Sequence, residues 1–320
     1  MGIQQNLLNT EILNLNNQKT SLAAIICTFN EEIHLLRCIS SLKKITSEIY
    51  VIDSYSTDRT KEIAISEGVI YIEKEWTTFS IKFNWAINNC NIKAKWVMRI
   101  DADEYVTNEL ANNLIEILPT IKDNINGIRV KRLMYFLDQP LKKGGMYPIW
   151  HLKIWRNGFA YCEEKWMDER MKLTKGETIE LQGDIIDHNL NNSSWWTQKH
   201  NGYATKEAID DLNILYNFNN GITVKPNFFG KSEERRRYLK LIYLKLPLFV
   251  RPFIFFIIRY FIQGGILEGK NGLIWCVLQA FWYRFLIDLR IYEVFKKTKK
   301  DKYLIIEYFK NEYKYDITKF

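Results

Sequence analysis

The sequence predicts an α/β fold, with a mostly parallel sheet flanked by helices and a C-terminal helical extension. Three observations predict it. Strand-like and helix-like segments alternate over residues 20–105, polar residues follow successive apolar runs, and apolar and basic residues crowd the C-terminal part. Strand–helix alternation at this spacing is typical of parallel βαβ units, which bind their ligands at the carboxyl ends of the strands.

Four short apolar runs justify the predicted strands, because strands covered on both faces carry few polar residues. They are LAAIIC (22–27), IYVID (49–53), VIYIE (69–73) and WVMRI (96–100). Between these runs, apolar residues recur at helical spacing over residues 31–44, 58–67 and 79–90. We therefore expect strands and helices to alternate throughout this part of the chain.

The residue pattern of the remaining chain predicts further regions. Residues 126–187 contain extended pieces, and residues 193–216 have helical spacing. We expect four regions, namely a polar N-terminal extension over residues 1–20, a main domain over residues 21–216, a linker over residues 217–231 and a basic, aromatic, helical region over residues 232–320.

The net charge of +8 is unevenly distributed. Residues 1–190 carry 23 Lys and Arg against 25 Asp and Glu, whereas residues 191–320 carry 22 against 12. The positive excess therefore belongs to the C-terminal part, which predicts an anionic partner there, either nucleic acid or an acidic membrane surface.

Two long apolar stretches, residues 238–262 and 272–295, lie in that basic part. Charged residues and prolines interrupt both, whereas a membrane-spanning helix needs about twenty apolar residues with few charges. The mixture of Trp, Phe and Leu with Lys and Arg is typical of helices that lie in the membrane interface. The alternative is a helical subdomain that packs on the main domain.

The five cysteines are widely spaced and form no CxxC motif, which predicts a reducing, cytosolic location rather than a disulfide framework. Residues 1–20 are polar and contain no apolar segment of the kind found in secretory signals. We therefore expect a cytoplasmic protein that is peripheral to the inner face of the cytoplasmic membrane.

Polar side chains follow the predicted strands in a consistent position. Asn30 and Glu31 follow the first strand, Asp53 ends the second, and Asp101 and Asp103 follow the fourth. Because ligands bind at the carboxyl ends of parallel strands, these side chains should face one crevice. Clustered carboxylates repel one another and need a cation or hydroxyl partner, although an acidic turn before a helix would also explain them.

The segments AAIICTFNEE, VIDSYSTDRT, FSIKFNWAI and WVMRIDADEY resemble the successive nucleotide-sugar motifs of the family 2 glycosyltransferases, which have the GT-A fold. The segments GGMYPIWHLKIWRNG, MDER, DHN and KHNGYATKEA resemble the bacterial branch that adds sugars to lipopolysaccharide core or other surface glycans. The resemblance covers residues 20–215. It implies a Rossmann-like fold with a nucleotide-sugar half over residues 21–105 and an acceptor half over residues 106–216.

The resemblance also implies roles for the polar residues in the first half. Asp101 would contact the donor ribose, and Asp103 would bind Mg²⁺ or Mn²⁺, which prefer hard oxygen ligands. Asp53 would recognise the nucleotide base. The other implied nucleotide-sugar contacts are Thr28, Asn30, Glu31, Lys82 and Asn84. Local explanations remain open, because Asp53 can close a turn and a lone lysine on a helix is usually solvated.

Further roles are implied in the second half. An inverting transfer needs a general base for the acceptor hydroxyl, and Glu169 is favoured over its neighbour Asp168. His188 would be a further metal ligand, although a strand-end histidine bonded to the backbone is an equal alternative. Gly145 and Tyr147 lie in a segment that would approach the acceptor, although paired glycines also suit a hairpin turn.

Two other enzyme classes fit less well. A nicotinamide oxidoreductase would need a G-x-G-x-x-G after the first strand, where CTFNEE stands, and a haloacid-dehalogenase-like phosphatase would need Thr or Val where Tyr105 stands. A basic membrane- or nucleic-acid-binding module without catalysis leaves the acidic strand ends unexplained, since carboxylates oppose phosphate binding. We therefore expect a metal-dependent, inverting glycosyltransferase with a nucleotide-sugar donor, a lipid-linked glycan acceptor, a membrane surface as partner and no nucleic acid.

Overall fold

The computed structural model describes residues 20–165, 167, 169–218 and 232–318, with side chains of the helix after residue 231 described from residue 238 onward. Two compact units divide the chain. The first consists mainly of residues up to 190, without short segments at 143–145 and 164–168, and the second consists of those segments and residues 191–320. The predicted linker lies mostly outside the described residues, and the predicted boundary after residue 216 stays a prediction.

The strands of the first unit are β1 (Leu22–Thr28), β2 (Glu48–Asp53), β3 (Ile70–Glu73), β4 (Trp96–Asp101), β5 (Glu104–Val106), β6 (Ile125–Phe136), β7 (Gln139–Pro140), β8 (Ile149–Arg156), β9 (Ala160–Cys162), β10 (Met171–Leu173) and β11 (Glu177–His188). Its helices are α1 (Leu35–Leu42), α2 (Thr60–Ser66), α3 (Phe79–Asn89) and α4 (Asn108–Ile117). The alternating strands and helices predicted for residues 20–105 are therefore confirmed.

The main sheet has the order β3-β2-β1-β4-β8-β6-β11-β5, with β7 at the side of β6. The first four strands pair in parallel, whereas β8 runs antiparallel to both β4 and β6. The predicted α/β fold is confirmed as a GT-A-like mixed sheet flanked by helices. Its parallel half is the half that carries the predicted nucleotide-sugar motifs.

Alternate residues of β1 face two separate cores, as expected when neighbouring strand residues point to opposite faces. Leu22, Ala24 and Ile26 pack with α1, α2 and α4, whereas Ala23 and Ile25 pack with α3. All five side chains are at most 1% exposed. The sheet is therefore covered on both faces, which explains why the strand is apolar throughout.

The second unit is helical. Its helices are α5 (Ser193–Tyr216), α6 (Ser232–Lys245), α7 (Arg251–Ile257), α8 (Gly269–Trp275), α9 (Tyr283–Thr298) and α10 (Lys302–Tyr313). Two π-helical segments, Ile258–Ile262 and Cys276–Trp282, and a 3₁₀ turn, Gly265–Glu268, complete it. The predicted helix over residues 193–216 is confirmed. A core of α5, α9 and α10 residues, including Leu212, Ile291 and Phe309, holds the unit together.

One stretch of the described residues, Gly265–Thr298, is long and apolar enough to qualify as a membrane-crossing helix by length and composition alone. It includes the second apolar stretch that the charged residues Arg284 and Asp288 interrupt. A buried core helix passes the same criterion, and 39% of the most apolar part is buried in this structure.

Candidate active site

The carboxyl ends of three parallel strands meet at one edge of the sheet. Thr28 of β1 lies directly beside Asp53 of β2, and Cys27 of β1 lies beside Asp101 of β4. The hydroxyl of Thr28 donates to Asp53 Oδ1 at 2.7 Å. The juxtaposition expected from the strand-end pattern is therefore present, and the ligand roles of these residues stay predictions.

Asp53 is held by protein donors on both carboxylate oxygens. Oδ1 accepts from the hydroxyls of Thr28 and Ser56, and Oδ2 accepts from the Ser56 amide at 2.7 Å and the Tyr71 hydroxyl at 3.0 Å. Burial raises the pKa of Asp53, but the hydrogen bonds from Ser56, Thr28 and Tyr71 outweigh it and lower the pKa below its usual value. Because a carboxylate offers about four acceptor positions, direct recognition of a base would require one of these donors to move.

Asn30 and Glu31 organise the loop after β1. Asn30 adopts the left-handed conformation with φ 55°, and its Oδ1 accepts from the Thr57 amide at 2.8 Å. The Glu31 carboxylate contacts Nδ1 of the buried His34 at 2.6 Å. Asn30 therefore ties this loop to the segment after β2, and Glu31 ties it to the start of α1.

Lys82 of α3 is a buried cation at the same sheet edge. Its Nζ donates to the Thr28 carbonyl at 2.9 Å and to the Ser54 hydroxyl at 2.6 Å, and the residue is 1% exposed. Burial lowers the pKa of Lys82, and the nearby Cys27 and Asp53 oppose that shift. Lys82 is therefore not the solvated surface lysine that the sequence left open.

Asn84, two positions further along α3, has a structural contact. Its side-chain Nδ2 donates to the Cys162 carbonyl at 2.8 Å, and its Oδ1 accepts from the Cys162 amide at 2.8 Å. This pair of bonds joins α3 to β9. A contact of Asn84 with a nucleotide stays a prediction, and it would compete with these two bonds.

The carboxylates after β4 differ in their cation partners. Lys153 of β8 lies 2.6 Å from Glu104 Oε2 and 3.8 Å from Asp101 Oδ2, and Arg99 lies 3.6 Å from Asp101 Oδ1. Burial raises the pKa of Asp101, but Lys153, Arg99 and Arg132 outweigh it and lower the pKa below its usual value. Asp101 is therefore an ionised, cation-paired carboxylate.

The Asp103 carboxylate has different partners from the carboxylates of Asp101 and Glu104. Its Oδ2 accepts from Asn189 Nδ2 at 3.0 Å, and its backbone carbonyl accepts from the His188 amide and from Arg37. Among the described residues, its carboxylate has no ion pair with Lys or Arg within 4.0 Å. Since a carboxylate has about four acceptor positions, Asp103 retains capacity for a cation.

His188 lies at the end of β11 with both ring nitrogens engaged. Nδ1 lies 3.2 Å from Arg37 Nη1, and Nε2 lies 2.8 Å from Asp138 Oδ1. Arginine is only a donor, so Nδ1 accepts and Nε2 carries the proton that it donates to Asp138. A metal bond from His188 stays a prediction, and it would require one of these partners to leave.

Asp187 is a further carboxylate near Asp103 and Glu104, and the sequence motifs did not point to it. Its backbone lies opposite that of Glu104 in the pairing of β11 with β5. Its Oδ2 lies 3.5 Å from Arg132 Nη1. Burial and the negative charge of Asp103 raise the pKa of Asp187 to about 7, against the opposing effect of Arg132. The DHN segment itself contained the signal, since this carboxylate directly precedes the selected histidine.

Lys153 and Arg99 are two further charged residues of the site that the sequence motifs did not indicate. Lys153 lies inside an extended segment and Arg99 inside an apolar run, and both approach the carboxylates of Asp101 and Glu104, with side chains 7% and 14% exposed. A charged residue inside a buried strand requires a partner. That rule, applied to HLKIWR and VMRID, is the signal that would have selected them.

Of the two general-base residues predicted, Asp168 lies outside the described residues. Glu169 lies beside the acidic cluster, because its backbone carbonyl accepts from Arg99 Nη1 at 3.1 Å while Arg99 also pairs with Asp101. The structure therefore brings residue 169 close to the carboxyl end of β4. Its role as base stays a prediction.

The predicted acceptor residues belong to different units. In the first unit, the Tyr147 hydroxyl donates to Asp184 at 3.0 Å. In the second unit, Gly145 has φ +68°, and a Cβ there would collide with the side chains of Arg259 and Gln263. Gly145 is therefore required by its backbone conformation and by a close approach, whereas acceptor binding by either residue stays a prediction.

A divalent cation fits this site as a ligand shared with a substrate. Among the described residues, no group of three or more His, Cys, Asp and Glu side chains is arranged to hold a metal ion. Mg²⁺ is commonly bound by one or two carboxylates together with substrate phosphates rather than by an all-protein cage. Asp103, which lacks the cation pairing of Asp101 and Glu104, suits such an arrangement.

Comparisons with known proteins agree on one family. The family model described as glycosyl transferase family 2 matches residues 23–165. The chain is 27% identical over 280 residues to the lipopolysaccharide core biosynthesis glycosyltransferase LpsC of Rhizobium meliloti, covering 86% of this chain and 93% of LpsC. It is 36% identical over 120 residues to an uncharacterized glycosyltransferase of Rickettsia typhi, covering 37% of this chain and 40% of that protein.

Solved structures give a weaker likeness. Glucosyl-3-phosphoglycerate synthase from Mycobacterium tuberculosis, in complex with Mg²⁺ and uridine diphosphate, matches with a TM-score of 0.31 and 19% identity, covering 38% of this chain and 47% of that chain. The complex of that enzyme with Mn²⁺ and UDP-glucose matches with a TM-score of 0.30 and 20% identity, covering 39% and 47%. The matched region thus spans less than half of these structures, and at these TM-scores the likeness carries no argument about the site.

Proposed function

We propose that this chain, whose residues 23–165 match the glycosyl transferase family 2 model, moves a sugar from a nucleotide-sugar donor to a lipid-linked saccharide acceptor, such as lipopolysaccharide core or a related surface glycan. One observation carries the proposal. The carboxyl ends of β1, β2 and β4 bring Thr28, Asp53 and Asp101 to one sheet edge. That is the position at which open α/β sheets bind nucleotides.

The donor is held by the nucleotide-sugar half. The loop of Asn30 and Glu31, together with Asp53, borders the base and ribose side. The buried cation of Lys82 lies behind the same edge and favours an anionic diphosphate. Asp101 accepts hydrogen bonds from the ribose, because its cation partners keep it ionised.

Asp103 holds Mg²⁺ or Mn²⁺ together with the donor phosphates. When bound, such a cation acts as a Lewis acid that neutralises the leaving diphosphate. The difference between the carboxylates supports this assignment, since Lys153 and Arg99 already pair with Glu104 and Asp101. Asn189 orients the Asp103 carboxylate through its bond to Oδ2.

The transfer is inverting, with Glu169 as general base for the acceptor hydroxyl and Asp168 as the rival. A base removes the proton as the hydroxyl attacks the sugar carbon, in a single displacement. The position of Glu169 supports this role, because Arg99 links its backbone to the Asp101 side of the site.

The second unit binds the inner face of the cytoplasmic membrane, where a lipid-linked acceptor would be presented. Large apolar side chains are exposed on it, including Phe261 at 55%, Ile262 at 75% and Leu267 at 74%. Residues 191–320 also carry 22 Lys and Arg against 12 Asp and Glu. Apolar contact and attraction to anionic lipids together stabilise interfacial binding.

The test is a thermal unfolding series with UDP, GDP, dTDP and CMP, each with Mn²⁺ and with EDTA. A ligand at a hundredfold excess over its dissociation constant stabilises the folded state by about 2.7 kcal/mol. For a unit of this size that corresponds to a rise in Tm of about 5–10 °C. We expect the rise with one nucleotide class and only with the metal.

Two variants test whether the metal-dependent rise in Tm depends on Asp103. Asp103→Asn should abolish the metal-dependent rise in Tm, whereas Asp123→Asn should retain it, because the Asp123 side chain is 99% exposed. Transfer of labelled sugar to a lipid extract should follow the same pattern. A wild-type chain that responds to no nucleotide contradicts the proposal and favours a basic, non-catalytic surface-binding module.

A further inference from the structure

One face of α1 contacts the two segments that carry the proposed metal site. His34, Arg37, Cys38 and Ser41 are spaced by three or four residues, so they lie on the same side of the helix and its first turn. The Leu190 amide donates to His34 Nε2 at 2.9 Å, and the Val106 amide donates to the Ser41 hydroxyl at 3.1 Å. This face therefore holds the chain shortly after Asp103 and shortly after His188.

Arg37 lies at the centre of that face. Its Nη2 donates to the backbone carbonyls of Asp103 at 3.3 Å and of His188, and its Nη1 donates to His188 Nδ1 at 3.2 Å. Its guanidinium carbon also lies 4.8 Å from the centre of the Tyr105 ring. A single side chain thus joins the acidic loop after β4 to the end of β11.

These contacts suit arginine in particular. A guanidinium group is planar, always charged and presents five donors in a fixed fork, whereas lysine has one flexible ammonium. Three acceptors on two separate segments therefore receive donors from one rigid group. Arg37 also requires His188 Nδ1 to be an acceptor, which leaves the proton on Nε2.

We propose that Arg37 is a positioning residue that holds the Asp103 and His188 backbones together, so that the Asp103 carboxylate is preorganised for a divalent cation and the donor diphosphate. The inference rests on the proposed function for the identity of the ligand. The contacts that carry it, from Arg37 to two carbonyls and one imidazole, do not depend on that function. A coordinating carboxylate that is already held in place loses less entropy when it binds a cation. Loss of Arg37 should therefore weaken the binding of metal and nucleotide, even though Arg37 touches neither of them.

The test compares wild type, Arg37→Met, Arg37→Lys and the control Arg129→Met. Arg129 is a suitable control because it lies on β6, outside the nucleotide-sugar motifs, and its side chain is 32% exposed and pairs with Glu180 at 3.2 Å. Mn²⁺ binding is measured by electron paramagnetic resonance in the presence of the nucleoside diphosphate that stabilises the wild type. We expect the dissociation constant for Mn²⁺ to rise at least tenfold in Arg37→Met, to rise less in Arg37→Lys, and to stay within twofold in Arg129→Met.

A second readout reports on the contact between Arg37 and His188 without any ligand. The chain has four histidines, so ¹⁵N-histidine labelling resolves the His188 ring nitrogens at pH 8. In the wild type, His188 Nδ1 should be unprotonated and hydrogen-bonded, and its resonance should shift by several ppm in Arg37→Met but not in Arg129→Met. If Arg37→Met fails to fold, the same two measurements on Arg37→Lys decide.

Either of two results overturns the inference: a Mn²⁺ dissociation constant within twofold of wild type in the Arg37 variants, or an unchanged His188 Nδ1 resonance. A wild-type chain that binds no metal and nucleotide at all refutes the proposed function instead. In that case the shift of the His188 resonance still tests whether Arg37 organises this part of the fold.

Discussion

Replacing Lys153 by methionine should destabilise the first unit strongly, because it leaves a buried carboxylate without its cation. Lys153 Nζ lies 2.6 Å and 2.8 Å from the two oxygens of Glu104, and the side chains are 7% and 1% exposed. Glu104 also accepts the Asp101 amide at 3.0 Å, so the pair supports the turn that carries the acidic loop.

The expected magnitude follows from burial. Removing one partner of a buried ion pair costs about 3–5 kcal/mol, because the remaining charge is uncompensated. Burial raises the pKa of Glu104 while Lys153 lowers it, so removing the lysine should favour the protonated acid. The double variant Lys153→Met with Glu104→Gln removes both charges and should recover most of the loss, since the amide side chain introduced by Glu104→Gln keeps an acceptor for the Asp101 amide.

Urea unfolding followed by circular dichroism measures these free energies of unfolding. The control is Arg129→Met, whose partner Glu180 lies 3.2 Å away with side chains 32% and 48% exposed, and it should cost less than about 1 kcal/mol. A loss below about 1 kcal/mol for Lys153→Met would refute the argument from burial. So would a double variant as unstable as the single one, because the cost would then come from packing rather than charge.

Three further predictions follow from the site and the second unit. Glu169→Gln should keep nucleotide binding and lower turnover by about 10²-fold or more in a labelled-sugar assay, whereas the same result for Asp168→Asn alone would move the base to Asp168. Burial lowers the pKa of His200 to about 4, so the unfolded state binds more protons between pH 6.5 and 4. Stability should therefore fall by up to about 3 kcal/mol as the pH decreases through that window, and His200→Phe should show a smaller fall; equal slopes in urea unfolding would contradict this. The triple variant Phe261→Ser, Ile262→Ser and Leu267→Ser should bind vesicles of phosphatidylethanolamine and phosphatidylglycerol at least tenfold more weakly in sedimentation, while Leu137→Ser, 53% exposed on the first unit, should not. Unchanged binding of the triple variant would exclude these side chains from the membrane surface.

Much of the fold was predictable because its signals are local. The apolar runs of β1 and β2 coincide with the predicted strands to within a residue or two at either end. The helix over residues 193–216 begins after Asn192, whose side chain accepts from the Trp195 amide, and ends before the left-handed Asn217. Helix caps of this kind depend on residues within one turn of the helix end, so the local sequence is enough to predict them.

The half of the sheet beyond β4, in which strands pair in both directions, was less predictable. Extended pieces were expected over residues 126–187, but their order and direction were not, and β8 lies between β4 and β6. Strand order depends on which surfaces pack together after long connections, so residue patterns along one strand do not specify it.

In the site, too, some features were predictable from local sequence and others depended on tertiary packing. Residue pattern alone selected the strand-end polar residues and the acidic loop, because parallel strands end at a common edge. It did not separate Asp101 and Glu104, which pair with Lys153, from Asp103, which does not. Nor did it show that Asn84 binds the Cys162 backbone, since that partner lies 78 positions away.

The sequence by itself determined the alternation of strands and helices, the family resemblance and the edge at which the carboxylates gather, since these depend on local periodicity and on motif order. Only the tertiary structure decided which carboxylate is compensated by a cation and which is available for one. Lys153 and Arg37 reach the acidic loop from β8 and α1, 49 and 66 positions away from the residues they bind. Charge pairing falls off over a few ångströms, so it is decided by packing in space rather than by distance along the chain.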